Sequence, residues 1–307
     1  MPSSFFRAAA RAAPRLGAAL ALAAASARGA PRLAAAPRAG EEEGGEAVLE
    51  HRTQQRYALT RGASQGGGEL ALVACSVRCM MQWCSLPMAR AYAFALYVPA
   101  SAVALLQRRE AEAAPAAAAA AAAAPAADRL QALLDLKSTS PAAAGELLLS
   151  LRIARDIAGA HMARGFANSA NNMLRRRSAP LAPAESAAVA AELAELGRAF
   201  ERHADFKPGD EVTFSWRADG SVIIASKGAF LAEVRSAPLA RALFDVYCGD
   251  KAPVSPQARA AFKANLDALV ESRAAVTMQR VGSGAAVSLD AGVHRGIVLS
   301  EHAARKA

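Results

Sequence analysis

Alternation of apolar and polar residues marks the chain from Glu211 to Val234 as a meander of strands. In "EVTFSWRADGSVIIASKGAFLAEV" Val212, Phe214 and Trp216 share one face, the turn ADG follows, and Val222 and Ile224 resume the pattern. SKG then reverses the chain into a third short strand. Upstream, "ELALVACSVR" and "MQWCSLPMARAYAFALYV" predict two strands with a turn around Ser85–Pro87, "GELLLSLRIARDI" predicts another, and a shorter one lies near "QRYALT". Helical spacing recurs in "DRLQALLDLK", in "AGAHMARGFANSANNML" and in "PAESAAVAAELAELGRAFERH". In the second of these Met162, Phe166 and Met173 fall on one side, and in the third Leu193, Leu196 and Phe200 repeat at three to four. "PLARALFDVYCG" is a helix expected to end on Gly249 as a C′ glycine, and Ser255 and Pro256 open the next helix. Strands, then helices, then a meander and more helices give an α+β fold with an antiparallel sheet.

Length allows one or two domains in 307 residues, but composition is uneven. Residues 1–40 hold six arginines and no acid, with Arg7, Arg11 and Arg15 four apart on one helical face. An acid-free leader rich in Arg, Ala and Ser predicts an organellar transit peptide, for mitochondrion or plastid. Its apolar run "LGAALALAAASA" is too short to span a bilayer, and no transmembrane segment is expected. Residues 41–68 read as a flexible linker. Residues 107–127, bounded by Pro115 and Pro125 over much of their length, read as an Ala-rich insertion with no side chains to bury in a core.

Charge changes once the leader is set apart. The formal net charge is +9, and six of those charges lie in residues 1–40, which leaves about +3 for the rest. No basic stripe with interleaved aromatics is present, so nucleic acid is not an expected partner. "RRR" at 175–177 reads as solvated charge. Cys75, Cys79, Cys84 and Cys248 fit neither a zinc site nor a CxxC redox pair, and are expected to be structural thiols. The five histidines are scattered without paired spacing, so no metal site is expected.

One residue is out of keeping with its surroundings. Arg78 lies in the mostly apolar stretch 75–98, and Tyr92 follows fourteen residues later. A charge there is costly unless it reaches water, pairs with a carboxylate such as Asp156, or meets an anion from outside.

"GDEVTFSW", "DGSVIIASKGAFLAEVRSAPLARALFDVYCGDKAPVSP", "LLLSLRIARDIAGAHMARGFANSA" and "LALVACSVR…ARAYAFALYV", in their order along the chain, resemble the chalcone isomerase-fold family. The resemblance covers residues 69–272, leaving 273–307 as an extension of no assigned role. It implies an open-faced β-sandwich, a curved antiparallel sheet covered by a layer of helices. The sequence departs from the family where glycines are replaced by Ala74, Ser76 and Ala95, and where two extra residues lie between Arg78 and Tyr97. True chalcone isomerases require the strand arginine, a Thr, a Tyr and an Asn. Those positions hold Arg78, Tyr92, Ala158 and Gly165, so no catalytic residue is assigned. Arg78 with Tyr92 resembles instead the non-catalytic members that hold a fatty acid, with Arg78 and Tyr92 on the carboxylate. Met81, Trp83, Leu96, Met162, Phe166 and Phe244 would line the apolar cavity. Two alternatives remain: a mitochondrial member associated with haem, for which His161 is the candidate axial ligand, and an intramolecular lyase with altered catalytic residues. Otherwise no cofactor is implied.

Overall fold

Cross-strand pairing builds most of the molecule from residues far apart in sequence. The computed structural model describes residues 46–64, 68–79, 86, 89–120, 128–203, 205–251 and 254–283, with backbone alone for 114–120 and 273–283. The predicted leader, residues 121–127 of the Ala-rich segment, Met81, Trp83, Cys84 and residues 284–307 lie outside the described residues.

The strands are β1 (Ala47–Glu50), β2 (Gln55–Ala58), β3 (Thr60–Gly62), β4 (Glu69–Cys79), β5 (Arg90–Pro99), β6 (Leu147–Ile153), β7 (Ile157–Ala158), β8 (Asp205–Phe206), β9 (Glu211–Trp216), β10 (Val222–Ser226) and β11 (Ala229–Val234). Seven of them form one curled antiparallel sheet in the order β11-β10-β9-β6-β5-β4-β3. The β10–β11 reversal is made by Lys227 and Gly228, both at positive φ (51° and 76°), as a tight hairpin requires.

Among the described residues the helices follow the predicted spacing in most places: α1 (Ala100–Ala120), α2 (Arg129–Thr139), α3 (Pro141–Ala144), α4 (Gly159–Arg175), α5 (Pro183–Arg202), α6 (Ala237–Cys248) and α7 (Pro256–Ser283). Asp128 caps α2 by accepting from the backbone N–H groups of Leu130 and Gln131, and Ser255 Oγ accepts from Ala258 N at the start of α7. Two stretches depart from expectation. Residues 46–64 of the predicted flexible linker carry β1, β2 and β3. Burial of Tyr57 and Leu59, pairing of β3 with β4 and the bond from Arg61 to Glu211 hold them against the sheet. Residues 100–120 are helical, and Ala102, Val103 and Leu106 enter the core. Residues within the Ala-rich segment also engage the fold: Gln107 donates to Val270 O, and Glu110 pairs with Arg129. Ala102, Val103 and Leu106 at the head of this helix supply a buried face that the low-complexity sequence after them conceals.

Period-2 alternation splits the sheet into two faces. On one, Phe94, Leu96, Leu149, Leu151, Phe214 and Trp216 pack against the helices in the main core. On the other, Ala93, Ala95, Tyr97 and Leu148 lie with Tyr57 and Leu59 in a smaller cluster beneath the β1–β2 hairpin. Charge is also buried on this second face. Glu211 accepts two hydrogen bonds from Arg61 (2.8 and 3.0 Å) and one from Ser150, with Arg152 3.6 Å away. Burial alone would raise the Glu211 pKa, but Arg61, Ser150 and Arg152 outweigh it and hold the carboxyl below its usual range. At the other end of the sheet Lys137, fully buried, donates to the carbonyls of Pro141, Gly145 and Arg217 and lies over the Trp216 ring.

Candidate functional site

A β-bulge decides where Arg78 points. Leu70 and Leu72 pair with Pro99 and Tyr97, on the hairpin-covered face. The register shifts between Leu72 and Ala74, after which Ala74 pairs with Leu96 of the main core. Val73 is the extra residue, so the even-numbered positions that follow, Ser76 and Arg78, change faces and turn toward the helices. Arg78 then stands directly across from Tyr92 of β5, which pairs on its far side with Ile153.

The last turn of α6 delivers a third polar group to the same place. Arg78 Nη1 donates to Tyr92 Oη at 2.8 Å, and Tyr92 Oη lies 2.7 Å from Tyr247 Oη. Arg78 Cζ is 5.7 Å from the centre of the Tyr92 ring, a cation–π distance. An aromatic collar surrounds the group: Phe94 lies 4.9 Å from Tyr247 and 5.9 Å from Phe262 between ring centres. Tyr92 and Tyr247 are buried and Arg78 half-buried.

Counting donors and acceptors gives the chemistry. A guanidinium carries five N–H donors and no acceptor, and each phenol adds one O–H. Within the cluster the side-chain acceptors are the two phenolic oxygens. One phenolic O–H spans the tyrosine pair, which leaves the other without an acceptor among the described residues. No described carboxylate forms an ion pair with Arg78; Asp156 instead pairs with Lys207 at 3.5 Å on the surface. The adjacent Tyr92 oxygen outweighs partial burial and keeps the Arg78 pKa above its ordinary value. Burial first, and Tyr92 second, push the Tyr247 phenol well above the usual tyrosine range, so it remains a neutral donor. Excess donors beside a fixed cation are the makings of an oxyanion site.

The fold and the order of its motifs have a counterpart. A family model described as chalcone isomerase like matches residues 69–263, more than half of the chain. The chain belongs to the chalcone isomerase-like family. A crystal structure of an Arabidopsis thaliana fatty-acid binding protein shares the fold, with a TM-score of 0.55 and 18% sequence identity over 74% of this chain and 100% of that one. No curated protein matches the chain in sequence.

Within this chalcone isomerase-like fold the sequence-predicted residues fall as follows. Arg78 and Tyr92 come together; Tyr247 was not anticipated, since it lies 155 residues from Tyr92 and reads as one more apolar-face aromatic on α6. Leu96, Met162, Phe166 and Phe244 all lie in the main core. Phe166 stacks on Phe200 at 5.2 Å and packs on Phe214, while Phe244 packs on Trp216 at 5.0 Å. Ala158 and Gly165 bring no polar side chain to the site, at the end of β7 and within α4. His161 is exposed on α4, turned away from the face that carries Met162 and Phe166, so it does not fit the role of an axial haem ligand. No cluster of three metal-binding side chains occurs among the described residues. Cys75 and Cys248 are not in disulfides, as expected, but Cys79 is disulfide-bonded, which the spacing did not suggest. Gly249 ends α6 at an ordinary φ of −65°, not in the left-handed region. Glycine is required there for space, because a Cβ would lie 2.7 Å from the Asp245 carbonyl oxygen.

Proposed function

We propose that the protein is a non-catalytic binder of an anionic apolar ligand, a fatty acid being the ligand class that fits best. Its carboxylate would be held by Arg78 and Tyr92, with Tyr247 as a third donor. The observation that carries this reading is the half-buried guanidinium whose described hydrogen-bond partners are phenols alone. A carboxylate brings two oxygens to a donor-rich cluster. It would neutralise Arg78, accept from the guanidinium fork and from the spare phenolic O–H, and displace nothing of like charge. The fatty-acid binding protein of the same fold makes an acyl tail a reasonable partner for that carboxylate. The tail would run between the sheet and the helices, where Leu96, Met162, Phe166 and Phe244 stand, each buried methylene adding about 0.8 kcal/mol. In the family's terms this is a carrier or buffer, and the conversion of Thr, Tyr and Asn positions to Tyr92, Ala158 and Gly165 removes the groups that cyclisation of a chalcone would use.

Native mass spectrometry of the protein expressed in bacteria, wild type beside Arg78→Ala, tests the reading. A co-purifying fatty-acid mass in the wild type that is absent from the variant is the expected result. A folded wild type that neither retains nor takes up a fatty acid would overturn it.

A further inference from the structure

Positive charge gathers on one side of α4 without any counter-charge in that segment. From Ile157 to Ala184 the chain has no carboxylate, yet it carries Arg164, Arg175, Arg176, Arg177 and His161. His161, Arg164, Asn168, Asn171 and Arg175 recur every three or four residues and are all exposed, while Met162, Phe166 and Ala170 enter the core. Lys251 joins the group, its Nζ donating to Arg176 O at 3.3 Å. None of Arg164, Arg175, Arg176, Arg177 and Lys251 has an ion pair among the described residues. Arginines elsewhere on the surface do: Arg198 and Arg202 share Glu195, and Arg235 has Glu233. One cation at the end of α4 is explained by the helix dipole. Five uncompensated cations are not.

Position adds to the argument. Lys251 follows Tyr247 by four residues, so their Cα atoms lie within about 14 Å. The basic surface therefore lies at the end of α6 that carries the Arg78–Tyr92–Tyr247 cluster.

We propose that this surface docks the protein on an anionic lipid surface. The apolar side of α4 is committed to the core, so the contact is made by charge alone and nothing inserts. None of the large exposed hydrophobics, Leu49, Leu86 and Phe230, is on α4, which leaves a protein partner without an apolar anchor there. Nor does the surface offer the exposed aromatics on which nucleic-acid bases stack. No described helix is long and apolar enough to cross a membrane, so the association is peripheral. A bilayer carrying anionic headgroups supplies a flat field of negative charge and asks only for clustered cations. The inference goes beyond the carboxylate-binding reading and does not depend on it.

Co-sedimentation of the full chain with phosphatidylcholine vesicles, with and without phosphatidylglycerol, tests it. Binding is expected to the acidic vesicles only, and to vanish at about 0.5 M salt, where screening shortens to a few ångströms. Arg175→Ser/Arg176→Ser/Arg177→Ser should lower partition about 100-fold, each such charge near an anionic surface accounting for about fivefold. Arg198→Ser, on α5, should leave it unchanged. Arg78→Ala should keep vesicle binding while losing any fatty acid, so failure of the ligand site and failure of the docking surface read differently. Equal partition of the triple variant with the wild type, equal binding to neutral vesicles, or no binding to acidic ones would each overturn the proposal.

Discussion

Arg78→Met separates a ligand anchor from a structural arginine, because the two roles predict opposite signs. In the ligand-free protein the guanidinium is half-buried and has no described carboxylate partner. Partial burial of an ion costs several kcal/mol even after relaxation. Against this stand one hydrogen bond to a charged donor, about 1.5–3 kcal/mol, and a cation–π contact of about 0.5–1 kcal/mol. Methionine keeps most of the apolar stem, fills the space beside Tyr92 and removes the charge. The net expectation is a delipidated variant more stable than the delipidated wild type by about 1–3 kcal/mol. For a domain of this size that is a rise in Tm of about 2–10 °C. Differential scanning calorimetry of both delipidated proteins reads it directly. Added fatty acid should reverse the order: at a hundredfold excess over Kd the wild type gains about 2.7 kcal/mol, and the variant gains nothing. A ligand-free Arg78→Met protein with a lowered Tm would refute the reasoning, since it would mean that the phenols alone satisfy the charge and that Arg78 belongs to the fold.

Glu211→Ala leaves Arg61 and Arg152 facing one another on the hairpin side of the sheet, and should cost about 3–5 kcal/mol, seen as a lower urea midpoint at unchanged slope. Because the folded pKa of Glu211 is depressed, its contribution is complete above the unfolded value near about 4.3 and is lost as pH falls through the folded value; Glu211→Gln should flatten that acid limb of a stability–pH curve. Gly249→Ala places a methyl group against the Asp245 carbonyl and should destabilise by about 1–3 kcal/mol in thermal melts, although its φ suits any residue.

Much of the sheet is legible because its signals are local. The β9–β10–β11 meander follows from alternation and from two turns with glycine, and the two apolar runs upstream mark β4 and β5, while the register that sets Arg78 across from Tyr92 comes from the pairing itself. What was not legible depends on distance or on register. Tyr247 reaches Tyr92 across 155 residues, and Arg61 reaches Glu211 across 150. Neither contact leaves a trace in periodicity, since an aromatic on an apolar helix face and an acid at a strand start are common in any protein. The helix over residues 100–120 was hidden differently: Ala102, Val103 and Leu106, which it buries, lie in its first two turns, and the poly-alanine sequence that follows gives no amphipathic period.

The bulge at Val73 has a meaning beyond register, because it makes the two faces of one sheet treat arginine differently. Arg152 and Arg61 lie on the hairpin side, where Glu211 lies within hydrogen-bonding or ion-pair distance of each, and a buried carboxylate there completes the fold from within. Ala93 pairs with Arg152 and, on its other side, with Val77; one position further along β5, Tyr92 pairs with Arg78 on the opposite face. With an unbroken register Arg78 would have faced the same side as Arg152, toward a carboxylate already engaged by two guanidinium groups. One extra residue sends it instead to the helix side, where phenols await it and no described acid does. Phenols orient a guanidinium without neutralising it. A strand that spends a bulge to place a cation among neutral donors leaves that cation's charge to be matched by something that is not part of the described fold, and a ligand carboxylate has the charge, the geometry and the acceptor count to match it.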